Sequence, residues 1–504
     1  MKPGGQTPMT ICRQRLEQRE QELRAAAAAG RRIGWARLVT LLGGLALLGS
    51  VVLTGEPAPG WLWLPLVAFF SLLALHEKAD RRRRHADRGA DFYRAALARA
   101  EGRWAGQGFG GEDLAEPNHP YAADLDIFGP GSLFEFLCRA RTAGGRRRLA
   151  GWLTQPASGD EIRRRQQAVR ELADRIDLRE DLHRLGQQLG ARLDEQGVRQ
   201  WAGQPPILPR LPALVGAGLT CLLLAGLTVW LTTGGGLWLV ATAALGHFAF
   251  TLVFHQRVEQ TLASAESRMP DLALVAGLLA RLETETFASP CLAELQAGRE
   301  ATATPASASI RRLSRLIRLL DWRRNQIFIP LALLLAWGTH LAFAIDRWHR
   351  RHGAEVARWV EAVFEVEALV SLAAFAWENP QHVMPEIVAS SEPRLSARGL
   401  GHPLIEARRC VRNDLALGPE RALLVVSGSN MSGKSTLLRA VGVNVVLAQA
   451  GAPVCAEAMS LSTLQVAASI RINDSLSSGV SRFYAEIQRI RQIFDLAAAR
   501  RPLL

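Results

Sequence analysis

The densest chemical signal in this chain of 504 residues is one loop, Gly428-Ser429-Asn430-Met431-Ser432-Gly433-Lys434-Ser435-Thr436, which fits G-x-x-x-x-G-K-[ST]. Glycines at the first and sixth positions let successive backbone N–H groups turn into one concavity, a nest for phosphate oxygens. A helix N-terminus that follows adds its own unpaired N–H groups. Lys434 is placed to reach β- and γ-phosphates as a point charge, and the Ser435 hydroxyl to join a magnesium shell. Asn430 is expected to fix the loop and touch phosphate. The pattern points to a nucleoside triphosphate, ATP with Mg2+. Only three lysines occur, Lys2, Lys78 and Lys434, against 60 Lys+Arg in all. A lysine kept at this position indicates that a compact ammonium is needed there, not merely positive charge.

The loop needs a strand before it and a helix after it. Ala422-Leu423-Leu424-Val425-Val426 is a short apolar run of strand type, and Leu437 to Ala448 reads as a helix. The chain as a whole is 48% hydrophobic and 21% charged, a mixture that fits soluble domains joined to membrane segments. Its net charge of +13 favours anionic partners such as nucleic acid or lipid headgroups, although arginine-rich helix faces that are simply solvated give the same sum. The six cysteines are scattered, without C-x-x-C or a His/Cys cluster, which argues against a metal site or disulfide framework.

Two stretches without charge, Leu38–Gly55 and Pro57–Leu75, are each about long enough to cross a bilayer and read as a helical hairpin. Trp61 and Trp63 sit where interfacial anchors belong. Arg31, Arg32 and Arg37 precede the hairpin and Arg81 to Arg84 follow it, so both ends are expected in the cytoplasm. A second pair of spans is expected over 211–231 and 237–254, broken at Thr232-Thr233-Gly234-Gly235-Gly236. Gln326–Ile345 is also apolar, but arginines flank it on both sides, and it is read as a buried core helix. The residues between and after the hairpins, 85–210 and 258–390, are polar to amphipathic and helical, and from Leu400 the pattern turns to α/β.

The Asn430-Met431 pair makes the loop resemble the G-x-N-M-x-G-K-S-T loop of the MutS mismatch-repair ATPases, and four further motifs follow the same order. Gly401-His402-Pro403-Leu404 resembles the turn that opens the MutS ATPase domain, and Asn413-Asp414-Leu415 its next strand entry. Gly451-Ala452-Pro453-Val454-Cys455-Ala456 is similar to the G-x-x-V-x-A segment. Asp474 to Glu486 looks like D-x-L-x-x-G-x-S-x-F-x-x-E. Further back, Leu125 to Leu133, then Gly145 to Leu149 and Trp152-Leu153, look like the first core helices of MutS, with 258–390 as its levers. The nearest fit is a membrane-anchored MutS-like branch.

The resemblance implies an α-helical core carrying transmembrane hairpins, followed by an α/β P-loop domain of the ABC-like, MutS type. The layout it suggests is an N-terminal charged helix (1–34), a first hairpin (35–75), core (85–210), a second hairpin (211–254), core and lever (258–395) and the ATPase domain (398–504). It implies a dimer whose composite site sets Gly479, Ser481, Phe483 and Glu486 of one subunit toward the phosphates of the other. Cys410, Val411 and Asn413 stand near where adenine packs in the family, here without an aromatic side chain. Partners implied are the bilayer, a second copy and DNA bound weakly without sequence preference. The expected location is a multi-pass protein of the bacterial inner membrane with a cytoplasmic ATPase domain.

Three departures qualify this. No mismatch-reading domain with a Phe-x-Glu wedge is found, and the second hairpin falls about where the DNA clamp belongs. The sequence stops at Arg501-Pro502-Leu503-Leu504, where an apolar strand ending in Asp-Glu should run, so the chain is read as truncated before that strand. No catalytic carboxylate is assigned, Leu423–Val426 is expected to lack neighbouring strands, and the 504-residue chain is expected to bind ATP but hydrolyse it little or not at all. Two other readings share the P-loop: a transporter ATPase of the ABC class, against which no L-S-G-G-Q occurs, and a non-hydrolysing membrane scaffold stabilised by nucleotide.

Overall fold

The structure, a computed structural model, describes residues 7–189, 193–209, 211–297, 304–322, 332, 335–470 and 482–498. Helix α1 (Pro8–Thr54) starts at Thr7, whose hydroxyl accepts from the Thr10 N–H at 3.3 Å. It runs unbroken from the charged N-terminal stretch into the first apolar span. Nothing between Ala29 and Leu38 stops it, because Gly30 and Gly34 cost helix stability without removing a hydrogen bond. Gly55, in the left-handed region (φ 71°), ends it, and a short 3-10 turn leads into α2 (Trp63–Ala100). The second span therefore begins at Trp63, later than the apolar run starting at Pro57. The charged halves of α1 and α2 pack as an antiparallel pair around Cys12, Phe92, Tyr93, Ala96 and Leu97.

After α2 the chain makes a series of turns from 101 to 131 before α3 (Leu133–Leu137). This corrects the reading of Leu125–Leu133 as core helix: Gly129, Pro130 and Gly131 break it, although Leu125, Ile127 and Leu133 are buried. Helices α4 (Ala143–Thr154), α5 (Gly159–Ala173), α6 (Ile176–Leu189) and α7 (Glu195–Gly203) follow. The α5 start is capped by Ser158, whose hydroxyl accepts from the Glu161 N–H at 3.3 Å.

Helix α8 (Leu211–Thr233) and the first half of α9 (Leu237–Glu283) form the second hairpin, with Leu214, Val215, Leu231, Trp238, Leu245 and Val253 among the side chains facing outward and Leu223 buried. Four helices of the described residues, these two and those of the first hairpin, are long and apolar enough to cross a membrane. The second half of α9 turns into core, with Leu262, Leu272, Val275, Leu279 and Leu282 buried against α11 (Ala306–Asp321) and α12 (Trp337–Glu378). A short α10 (Pro290–Ala297) lies between α9 and α11 and packs on α5. Of the segment 326–345, residues 326–331 and 333–334 lie outside the described residues. Its described part enters α12, with Leu341, Ala342, Phe343 and Ile345 buried. It packs on the second hairpin: His340 Nε2 lies 2.8 Å from Thr220 Oγ1, and the Phe343 and Phe250 rings are 6.3 Å apart.

At its far end α12 carries Glu378, half-buried between Arg99 (2.6 Å) and Arg139 (3.0 Å). Burial alone would raise this carboxyl, but the two guanidinium groups hold it down to about 2. Beyond it a small mixed sheet forms from β1 (Glu386–Ile387), β2 (Leu395–Leu400), β3 (Asn413–Leu417) and β4 (Ala458–Leu461), in the order β1-β4-β2-β3. Only β1 and β4 are parallel. Helix α13 (Lys434–Ala450) packs on α4 and α5, and α14 (Arg482–Ala498) is the last described element.

Candidate nucleotide site

Helix α13 fixes the site. Its N-cap is Gly433 at φ 89°, a left-handed conformation that suits glycine, so that Lys434 and Ser435 open the first turn. The N–H groups of that turn have no partner within the helix. The preceding loop closes on itself, with Ser432 N–H donating to Ser429 O at 3.3 Å. A Cβ on Gly428 would meet Ser432 Oγ at 2.8 Å. The Lys434 ammonium folds back and donates to Gly428 O (2.7 Å) and Ser429 O (2.6 Å). The cation is thus held inside the loop by two carbonyl oxygens, which stand in for the anionic oxygens such a loop accommodates. The donor set fits a phosphate chain: one ammonium, the first-turn N–H groups, and the Ser435 and Thr436 hydroxyls. Were Mg2+ bound, Ser435 would supply one oxygen to it.

The strand expected before the loop does not form. Residues 422–426 carry no ladder, and Leu423 and Val425 are each 78% exposed. Among the described residues no strand lies beside them, and a lone extended segment has nothing to satisfy its backbone groups except water. The apolar run is strand-like in composition only, consistent with its expected lack of neighbours.

The motifs that flank the loop meet at a residue that motif spacing does not pick out. Asn444, fully buried on α13, donates from Nδ2 to Gly401 O (2.8 Å) and to Ala440 O (2.7 Å), and its Oδ1 accepts from the Cys455 N–H (2.7 Å). One amide therefore joins the P-loop helix, the His-Pro turn and the Gly451–Ala456 segment. The available signal was a lone amide in the apolar run Val443-Asn444-Val445-Val446. In the same turn, burial and the nearby Arg439 push His402 down to about 4, so its neutral ring accepts from the Leu404 N–H at 3.3 Å. Burial pushes the Cys455 thiol up to about 11.

Of the residues expected near adenine, Cys410 is half-buried in the His-Pro turn, Val411 is 79% exposed, and Asn413 begins β3 opposite Leu400. Gly479 and Ser481 lie outside the described residues, while Phe483 and Glu486 fall in the first turns of α14.

Helix α13 is tied to the helical core through the turns at 118–126. A Cβ on Gly442 would come within 2.8 Å of Leu125, so this close approach requires glycine. Arg439 Nε donates to Asp124 O at 3.0 Å, the Ile470 N–H to Asp124 Oδ1 at 2.7 Å, and Arg489 of α14 to His119 O at 2.9 Å.

Comparison with known proteins bears on these two tied regions. Residues 424–504 match MutS domain V, and residues 122–196 match MutS domain III. Both matches support the MutS family. Similar proteins include the DNA mismatch repair protein MutS 1 of Halobacterium salinarum, 39% identical over 140 residues, which are 27% of this chain and 16% of that protein. The DNA mismatch repair protein MutS of Geobacillus thermodenitrificans is 36% identical over 137 residues, 26% of this chain and 15% of its own. The DNA mismatch repair protein MSH6 of Arabidopsis thaliana is 35% identical over 149 residues, 27% and 11% respectively. The aligned part thus spans less than a fifth of each of these relatives. In MutS terms, the 118–126 contacts bind the start of domain III to the domain V helix that carries Lys434.

Proposed function

We propose that this protein is a membrane-anchored nucleotide switch of the MutS type, binding ATP with Mg2+ at Gly428–Thr436 and acting as a dimer, with DNA as the ligand of its family role. The observation that carries the reading is the Lys434 ammonium, held by two loop carbonyls at the head of a helix whose later turns are buried. Arriving phosphates exchange those carbonyls for charge-assisted bonds, which are roughly twice as strong as neutral ones. Anchoring is supported by the four long apolar helices with outward-facing side chains. A second copy supplies Gly479, Ser481, Phe483 and Glu486 to the partner's phosphates by analogy with the family.

The test uses membranes carrying the full chain, washed with alkaline carbonate and then photolabelled with azido-ATP. The parent and Lys434→Ala are both expected to stay with the membrane, and the variant to lose at least ~100-fold in labelling affinity, for two charge-assisted bonds at about 1.5–3 kcal/mol each. Equal labelling would sink the nucleotide assignment. Release of intact protein by the wash would sink the anchor.

A further inference from the structure

We propose that two basic grooves, one beside each apolar hairpin, seat the phosphate headgroups of anionic phospholipids. This rests on the membrane reading above and adds a ligand to it. The first groove lies where α8 begins. Its apolar wall is Ala213, Leu214 and Phe343, its opposite wall Arg347, Arg350 and Arg351 of α12, and its volume about 420 Å³. That is within the roughly 300–1,000 Å³ of small-molecule sites. The one carboxylate in the lining, Asp346, is already engaged: Oδ1 accepts from the Ile207 and Leu208 N–H groups at 3.0 and 3.2 Å, and Oδ2 from Arg350 Nε at 2.9 Å. This fixes the arginine face against the chain entering the span. Arg347 and Arg351 stay exposed, and among the described residues no carboxylate ion pair involves either.

The second groove, about 740 Å³, lies between α1 and α2 just before the first hairpin becomes apolar. Ala25, Ala29 and Ile33 of α1 face Leu75, Lys78 and Arg82 of α2 across it, and the one carboxylate in the lining, Glu22, is paired with Arg19 at 2.9 Å. Lys78 is one of only three lysines in the chain. Its long stem can lie along apolar surface while the ammonium reaches a phosphate.

Both grooves join cations to an apolar wall continuous with an outward-facing span, where Leu214 is 72% exposed. A free phosphate needs only the cations. A phospholipid uses both, its phosphate on the arginines and its acyl chains along the helix. Each basic residue near an anionic membrane surface contributes about a fivefold gain in affinity, which is ~1 kcal/mol.

The experiment places the full chain in phosphatidylcholine nanodiscs with a trace of spin-labelled phosphatidylglycerol or phosphatidylcholine and measures the immobilised fraction. The parent is expected to prefer phosphatidylglycerol several-fold. Arg347→Gln/Arg351→Gln and Lys78→Gln/Arg82→Gln each lower that preference, and the four changes together bring it near unity. Arg358→Gln, exposed further along α12 and away from the spans, leaves it unchanged. The proposal is overturned if the parent shows no preference, if the fourfold variant keeps it, or if Arg358→Gln lowers it as much as the groove variants. Displacement of the labelled lipid by equimolar glycerol 3-phosphate also overturns it, since the site is then one for free phosphate. Failure of the chain to enter nanodiscs at all refutes the membrane reading instead.

Discussion

Replacing Asn444 by alanine removes one side chain and leaves two buried backbone groups without their partner: the Cys455 N–H, which donates to Oδ1, and the Gly401 carbonyl, which accepts from Nδ2. Ala440 O keeps its place in the helix ladder, so its loss weighs little. Each unsatisfied buried group costs about 1–3 kcal/mol, so opening of the joint between α13, the His-Pro turn and Gly451–Ala456 becomes easier by roughly 2–6 kcal/mol. Hydrogen exchange reads this locally: protection of the Cys455 amide should fall by on the order of 30-fold or more in Asn444→Ala. Asn444→Asp is the sharper variant. It keeps the acceptor for the Cys455 N–H but turns a donor into an oxygen facing Gly401 O and Ala440 O at the distances of a hydrogen bond, 2.8 and 2.7 Å. It should be at least as damaging as alanine near neutral pH, and should partly recover as acid protonates the carboxyl. Unchanged protection at Cys455 in both variants would refute the assignment of Asn444 as the residue that joins the three motifs.

The Arg99–Glu378–Arg139 cluster predicts an acid-sensitive joint. The folded-state value of about 2 lies below the ordinary 4.5, so the stabilisation is complete above pH 4.5 and is lost as pH falls toward 2. Glu378→Gln should cost about 3 kcal/mol at pH 7 by leaving two half-buried guanidinium groups without their counter-charge, and the gap to the parent should narrow below pH 4 in thermal unfolding; a gap independent of pH would contradict this. For DNA, the net charge of +13 predicts weak binding that falls steeply with salt and does not distinguish mismatched from matched duplex. A mismatch preference at physiological salt in a fluorescence anisotropy assay would show a base-reading element that the sequence does not reveal.

The helix that opens at Lys434 and the two helical hairpins are legible because each is a local pattern: glycine spacing before a helix, or a run without charge. What escaped depends on residues far apart in sequence. Leu423–Val426 has the composition of a strand, but a strand exists only with a neighbour, and none stands beside it among the described residues. Helix α9 reads as a span followed by a polar helix, yet it is one continuous helix whose second half becomes core where α11 and α12 cover it. The turns at 118–131 carry the buried apolar residues Tyr121, Ala122 and Leu125 at helix-like spacing, but glycine and proline decide the backbone there. Asn444 is ordinary in sequence and central in structure because its three partners come from three segments.

The 42 residues of α12 give it a length of about 63 Å at 1.5 Å per residue. One end is locked to the arginine pair around Glu378, close to the sheet, and the other lies against the second hairpin through His340 and Phe343. A rod so fixed magnifies rotation. If the domain bearing Lys434 tilts by about 5° around the Glu378 joint, the tip at Trp337 sweeps roughly 5 Å, the rise of a full helical turn. A rearrangement too small to reorder the P-loop helix would then shift the helices of the hairpin by a distance comparable to the spacing between neighbouring side chains. Under the proposed reading, α12 would give the helices of the apolar hairpin a mechanical readout of the end that bears Lys434.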